Sequence, residues 1–193
     1  MDFKLLFEDF PEKIIPYDYD AYFSNPDRFV MVTTNCLTGK AEYLEERSSS
    51  KRIMEIVRAS SSLPFVSPIT YVDGIPMLDG GIADSVPVEY AMSQGYEKLI
   101  VVLTRNKGYR KKESTMPLAK VVYRKYPDLC KALQERNAVY NRTMDLIDRL
   151  EAEGKIIVIR PIRPVEVGRM EKDTDKLRAL YQEGYDVAKD LLR

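Results

Sequence analysis

The chain has 193 residues, 45% of them hydrophobic, which fits one globular domain or one domain with a helical extension. Its 30 basic and 30 acidic residues cancel, so no strong overall field toward nucleic acid or a membrane surface is implied. It has no histidine, which excludes Ser-His-Asp and Cys-His catalysis and any His-containing zinc site within these residues. Residues 1–28 are rich in aromatics and prolines (Phe3, Phe7, Phe10, Pro11, Pro16, Tyr17) and read as loops and short turns wrapping a core. Phe29–Thr34 is a short apolar run typical of a buried strand, and Thr38-Gly39-Lys40 turns it into a partner, Ala41–Leu44. Ser48–Ser50 cap a helix that carries Ile53, Met54, Ile56 and Val57 on one side.

Tyr71-Val72, Asp73-Gly74 and Ile75–Leu78 form a strand, a tight turn and a strand, the Asp-Gly pair being a strong hairpin signal. A helix over 86–94 follows, capped by Asp84 or Ser85, with Pro87 in its first turn and Gly95 as its stop. Leu99–Leu103 is continuously apolar, as in a strand covered on both faces. A short helix over 118–126 ends at Pro127. A long one over 128–153 places Leu129, Leu133, Tyr140, Met144, Ile147 and Leu150 at helical spacing. Ile156–Ile159 is another buried strand, and Asp173 or Thr174 caps a last helix with Leu177, Leu180, Tyr181, Ala188 and Leu191 on one stripe. Strands that alternate with helices predict an α/β fold with a mostly parallel sheet. No apolar run reaches the ~20 residues of a membrane helix. Cys36 and Cys130 are isolated, as expected of reduced thiols in a cytoplasmic setting, and Met1-Asp2-Phe3-Lys4 is not a signal peptide.

The most informative stretch is Asp79-Gly80-Gly81. An aspartate at the end of a strand, followed by backbone free to take any φ, can aim its carboxylate into a cleft. The glycines leave room for another backbone or a substrate to approach. The competing reading is a turn or capping aspartate. Asp73 sits at the hairpin turn and is structural. Asp73, Asp79 and Asp84 match no metal-binding loop, so no metal is assigned. Ser60, Ser61 and Ser62 lack a glycine-flanked elbow and read as helix-end residues. Arg105, Lys107, Arg110, Lys111 and Lys112 form a basic loop after the 99–103 strand, suited to lipid phosphates or an anionic surface, or else simply solvated. Arg160, Arg163 and Arg169 carry the same two readings. The last helix reads as docked on the sheet, with an interfacial membrane helix as the alternative.

The order Arg58-Ala59-Ser60-Ser61-Ser62-x-Pro64, hairpin, Asp79-Gly80-Gly81, x-x-x-Ser85-x-Pro87-Val88 resembles the C-terminal half of bacterial patatin-like phospholipases. The resemblance is closest to the branch with a further helical C-terminal region, matched here by Tyr123–Pro127, Val167-Gly168-Arg169 and Glu171-Lys172-Asp173. It implies a partial three-layer α/β patatin-like sheet with a helical C-terminal extension. Residues 1–114 would be the C-terminal portion of the catalytic domain, and residues 115–193 the extension packed on it. It further implies a Ser-Asp dyad acyl hydrolase acting on lipid esters without cofactor, with Asp79 as the catalytic acid/base. Gly80, Gly81, Ser61 and Pro64 would line or support the substrate.

The chain departs from that family in having no Gly-x-Ser-x-Gly, since no two of its nine glycines stand four apart. The family's glycine-rich oxyanion segment is absent too, and Ser85 stands where many relatives carry Asn. The chain therefore reads as the second half of an enzyme, inactive by itself. Its partners are a lipid or other ester substrate and a transient membrane surface, with no nucleic acid. A sheet edge left open at Phe29–Thr34, Leu99–Leu103 or Ile156–Ile159 would drive homo-oligomer formation. The alternative reading is a non-catalytic α/β binding or interaction domain, with Asp79 structural. A phosphate-binding α/β module is the third reading, and it lacks a glycine-rich phosphate loop.

Overall fold

Two hairpins organise the first part of the chain. The computed structural model describes residues 2–113, 115–168 and 171–192. Strand β1 (Met31–Asn35) pairs antiparallel with β2 (Ala41–Leu44), and β3 (Thr70–Val72) with β4 (Ile75–Asp79). The β3–β4 turn has positive φ at both Asp73 (52°) and Gly74 (77°), the primed turn expected of an Asp-Gly hairpin. β1 and β4 then pair, again antiparallel, in the register Thr33↔Asp79, Thr34↔Leu78 and Asn35↔Met77. The resulting four-stranded sheet has the order β2-β1-β4-β3.

The sheet of this part is thus antiparallel, and the expectation of a mostly parallel sheet does not hold. Tight turns join its strands in pairs, and a short turn can only reverse a strand, whereas a parallel neighbour needs a long crossover. The fold remains mixed α/β.

The chain divides into two compact units. The first takes the described residues of Met1–Ser85 and Ser114–Arg136. It contains the sheet, a π-helical segment (Leu5–Ile14), helix α1 (Tyr19–Ser24), helix α2 (Ser50–Ser60), helix α4 (Pro117–Val122) and the start of α5 (Pro127–Ala152). The N-terminal helices replace the loops expected there. Asp18 caps α1 by accepting the Ala21 N–H at 2.8 Å, and Tyr17, Tyr19, Tyr22 and Phe23 pack on one another, with Tyr19 and Tyr22 also against the core cluster of Met31, Ile53 and Ile56. Helix α2 starts as expected, with Ser49 accepting the Arg52 N–H. It buries Ile53, Ile56 and Ala59 against Met31, Val72 and Met77. A second cluster unites Leu78 and Ile82 with Leu129, Leu133, Cys36 and Cys130. Both cysteines are free and buried, and burial pushes the Cys36 thiol up to about 12.

The second unit takes the described residues of Val86–Glu113 and Asn137–Arg193. Strands β5 (Leu99–Val102) and β6 (Ile156–Ile159) pair in parallel as a two-stranded sheet. Val101, Ile156 and Val158 pack with Met144, Ile147 and Leu150 of α5. On the opposite face β5 is bare, with Ile100 55% and Val102 68% exposed, so β5 is not covered on both faces as expected. Helix α3 spans only Val88–Ser93, with Pro87 at its cap position and no side-chain cap. Asp84 and Ser85 are used elsewhere. Helix α6 (Thr174–Leu191) is capped by Asp173, as expected, but buries none of its residues. Leu180, Val187 and Ala188 are half-covered, while Leu177 and Tyr181 stay exposed.

Candidate functional site around Asp79

Asp79 is the last residue of β4 and the first of a sharp turn. Its backbone is fixed from three sides. The Asp79 N–H donates to the Ser62 carbonyl at 2.9 Å, and the buried Thr34 hydroxyl donates to the Asp79 carbonyl at 2.8 Å. Thr33 lies opposite it in the ladder. A short 3₁₀ turn, Gly80–Ile82, follows, and the Asp79 carboxylate caps it by accepting the Gly81 N–H at 2.7 Å. The Gly81 carbonyl takes two donors, the Ser85 hydroxyl at 2.9 Å and Arg136 Nε at 3.1 Å.

Gly80 is required by close approach. A Cβ there would stand 2.4 Å from the Val32 carbonyl oxygen of β1, which also accepts the Ser60 hydroxyl at 2.8 Å. A Cβ at Gly81 would stand 3.0 Å from Asp79 Oδ1, so the second glycine leaves room for the carboxylate. The structure therefore brings Ser60 and the Asp79-Gly80-Gly81 turn together on β1, with the Ser62 carbonyl held by the Asp79 N–H.

The serines divide clearly. Ser60 is bound to Val32, and the buried Ser62 hydroxyl to the Arg58 carbonyl and Thr70. Ser61 is exposed at the C-cap of α2, and Pro64 is half-buried in the loop beyond. Among the described residues no serine hydroxyl hydrogen-bonds to the Asp79 carboxylate.

The three aspartates of this region go to separate partners. Asp73 is gripped by Arg52, whose Nε donates to both carboxylate oxygens at 3.1 Å. Asp84 accepts the Tyr43 hydroxyl at 2.7 Å rather than capping a helix. Arg52 also reaches Glu46, a buried carboxylate that accepts the N–H groups of Arg47, Ser48 and Ser49. Burial pushes the Glu46 carboxyl up, but the Ser48 and Ser49 N–H groups and the Arg52 guanidinium outweigh it and hold it at about 2. This network pins the β2–α2 loop to the β3–β4 turn.

The basic loop of the second unit is partly neutralised by α5. Arg110 pairs with Asp145 and Asp148, Lys107 with Glu151, and Arg160 with Asp148 and Glu151. Burial disfavours the charged forms of Asp148 and Glu151, yet these cations hold both below the usual carboxylate range. Arg105 and Lys111 lie over the rings of Tyr109 and Tyr140. Lys107 and Arg110 of this loop thus already have ion-pair partners, while Arg105, Lys107 and Lys112 stay exposed, as the solvated reading expects. Arg169 lies outside the described residues.

An open cavity of about 500 Å³ lies between the N-terminal π-helix and α2, lined by Phe7, Glu12, Tyr19, Lys51, Met54 and Arg58 among others. None of Asp79, Gly80 or Gly81 lines it.

Sequence reasoning missed Thr34 and Arg136. Thr34 lies 45 residues from Asp79, and Arg136 lies 55 residues from Gly81. No local motif announces such long-range partners.

Residues 7–92 match a family model described as patatin-like phospholipase, and residues 126–193 match one described as a domain of unknown function (DUF6363). The first match takes in the whole Asp79 turn and supports a patatin-like family for this part of the chain. A stretch of 52 residues, 26% of the chain, is 42% identical to the uncharacterized protein YjjU of Escherichia coli (strain K12). That stretch spans 15% of the length of YjjU.

Proposed function

We propose that this chain carries the aspartate half of a patatin-like serine acyl hydrolase acting on lipid esters, phospholipid-type esters among them. The observation that carries the reading is the placement of Asp79. It ends a paired strand, turns on two glycines, keeps its carboxylate out of any ion pair among the described residues, and lies within residues 7–92, which match the patatin-like model. In this reading a serine from outside these 193 residues comes within hydrogen-bond reach of Asp79, about 2.6–3.2 Å. Its oxygen attacks the ester carbonyl while Asp79 takes the proton. Backbone N–H donors of a glycine-rich loop, also outside the chain, stabilise the oxyanion. Asp79 returns the proton to the leaving alcohol, and water then releases the fatty acid from the acyl-enzyme. The cycle uses neither metal nor organic cofactor.

The catalytic portion runs to about residue 114 and the extension occupies 115–193. The two family matches, over 7–92 and 126–193, fall on either side of that boundary. The bare outer face of β5 supports the idea that a further packed layer belongs there, because parallel strands are normally covered on both faces. Until that layer is present, a second copy of the chain covers the face. Two free buried thiols fit a reducing, cytoplasmic setting, and the substrate is met at a membrane surface by transient contact. Among the described residues no helix is long and apolar enough to cross a membrane.

One observation favours the second reading, a non-catalytic α/β binding domain. Asp79 already serves as the cap of its own turn through the Gly81 N–H. Two results test the reading, and the second separates it from the binding domain. The 193-residue chain should leave p-nitrophenyl esters and phospholipids untouched, and its serines should not react with a fluorophosphonate probe. The gene should read in frame, upstream of codon 1, through a Gly-x-Ser-x-Gly. Stoichiometric labelling of a serine in this chain would overturn the dyad model. An upstream region without the motif would favour the binding domain.

A further inference from the structure

We infer that Arg136 is a positioning residue for Asp79, and that the first turns of the long helix α5 exist to brace the Asp79 turn. This rests on the reading of Asp79 as the catalytic carboxylate. Leu129, Leu133 and Arg136 stand at i, i+4 and i+7 and so share one face of α5. Leu129 and Leu133 are fully buried in the cluster that holds Leu78 and Ile82, the residues flanking Asp79-Gly80-Gly81. Arg136 continues the same stripe one turn further and donates Nε–H to the Gly81 carbonyl at 3.1 Å.

The bond acts on Asp79 through one residue. Gly81 gives its N–H to the Asp79 carboxylate and its carbonyl to Arg136 and Ser85. Holding that carbonyl fixes the rotation of a residue that has no side chain to fix it. The Gly81 N–H then stays aimed at Oδ1, and the carboxylate keeps one rotamer. Ser85 is four residues from Gly81 and moves with the turn, whereas Arg136 anchors it to a separate, well-packed element. A charged donor also makes the stronger bond. Arg136 lies in the segment 126–193, which carries no assigned role, and this contact gives its first helix one.

The test is amide NMR on the whole 193-residue chain, comparing wild type with Arg136→Met, which keeps the apolar stem and removes the donors. A second variant, Arg136→Lys, keeps stem and charge but loses the planar fork, and it carries the test if Arg136→Met does not fold. The Gly81 amide proton should resonate at low field in wild type, because it donates to a carboxylate, and move upfield in both variants. Its hydrogen exchange should accelerate about tenfold or more beyond any change shared by core amides such as Leu129, the size of effect a charge-assisted bond produces. A merely structural arginine would speed all amides by one common factor and leave the Gly81 resonance in place. That result in the folded variant overturns the inference. In the complete enzyme Arg136→Met should lower kcat with KM little changed. The two readings fail separately. If Asp79→Asn keeps its kcat, the catalytic role falls while the Gly81 shift stands. If Gly81 does not respond to Arg136, the brace falls while the role of Asp79 stands.

Discussion

Replacing Gly80 by alanine is the sharpest structural perturbation near Asp79. The new methyl carbon would sit 2.4 Å from the Val32 carbonyl oxygen and 2.6 Å from its carbon, where ordinary contact begins near 3.4 Å. Either β1 or the Asp79 turn must therefore retreat by about 1 Å, since overlap with a backbone carbonyl cannot be relieved by a rotamer change. β1 is paired on both sides, with β2 and β4, and its Val32 carbonyl also holds Ser60. A shift there strains both ladders and the Thr34–Asp79 hydrogen bond. Overpacking of this kind costs about 1–3 kcal/mol, and a strained hydrogen bond adds about 1. We expect a loss of about 2–4 kcal/mol, which in a chain of this length lowers Tm by roughly 4–16 °C. Gly184→Ala is the internal control. It lies in α6 with nothing within 4 Å of its Cβ position, and should gain about 0.5–1 kcal/mol from helix propensity alone. Urea and thermal unfolding followed by circular dichroism measure both variants. A Gly80→Ala loss below about 0.5 kcal/mol, or two glycines that respond alike, would refute the close-approach argument.

The remaining predictions concern charge and assembly. Glu46 is held at about 2 in the folded chain against an ordinary 4.5, so its contribution is complete above pH 4.5 and lost as pH falls toward 2. Glu46→Gln should cost about 2–3 kcal/mol at pH 7, where the buried charge and its donors are all in play, and should flatten the pH dependence of stability in that acid window. Equal pH slopes in the two proteins would contradict this. The bare face of β5 predicts a dimer or larger species in sedimentation experiments. Ile100→Asp combined with Val102→Asp should shift it toward monomer, and a wild-type monomer at high concentration would mean that the exposed face needs no cover.

Local signals were legible in the sequence, and long-range ones were not. The Asp73-Gly74 turn, the Ser49 and Asp173 caps and the extent of α5 follow from φ preferences, hydroxyl or carboxylate caps and 3.6-residue spacing, all of which act within a few residues. The direction of the sheet does not follow from strands alternating with helices, because the two hairpin turns on their own impose antiparallel pairing in the first unit. The exposure of Ile100 and Val102 failed for a different reason. A continuous apolar run reports that a strand suits burial on both faces, not that this chain supplies both covers. The helices of the aromatic N-terminus are not legible in the sequence because prolines mask helical spacing, and Pro11 sits inside the π-helical segment. At the candidate site, Asp79 and the need for Gly80 were visible as a strand end followed by permissive backbone. The backing strand Val32, the Thr34 hydroxyl and Arg136 were not, since each meets the turn from a distant part of the chain.

The central claim is that Asp79 is the base of an acyl hydrolase, and the direct measurement is the kcat of Asp79→Asn in the complete protein that supplies the serine. The amide keeps the size of the carboxylate and can still accept the Gly81 N–H through its oxygen, so the fold should survive. The account predicts a kcat lower by roughly 10⁴-fold, with KM within a few-fold of wild type, as when an interaction made only in the transition state is removed. A folded Asp79→Asn enzyme that turns over esters at near wild-type kcat would contradict it, and would leave Asp79 as the cap of its own turn.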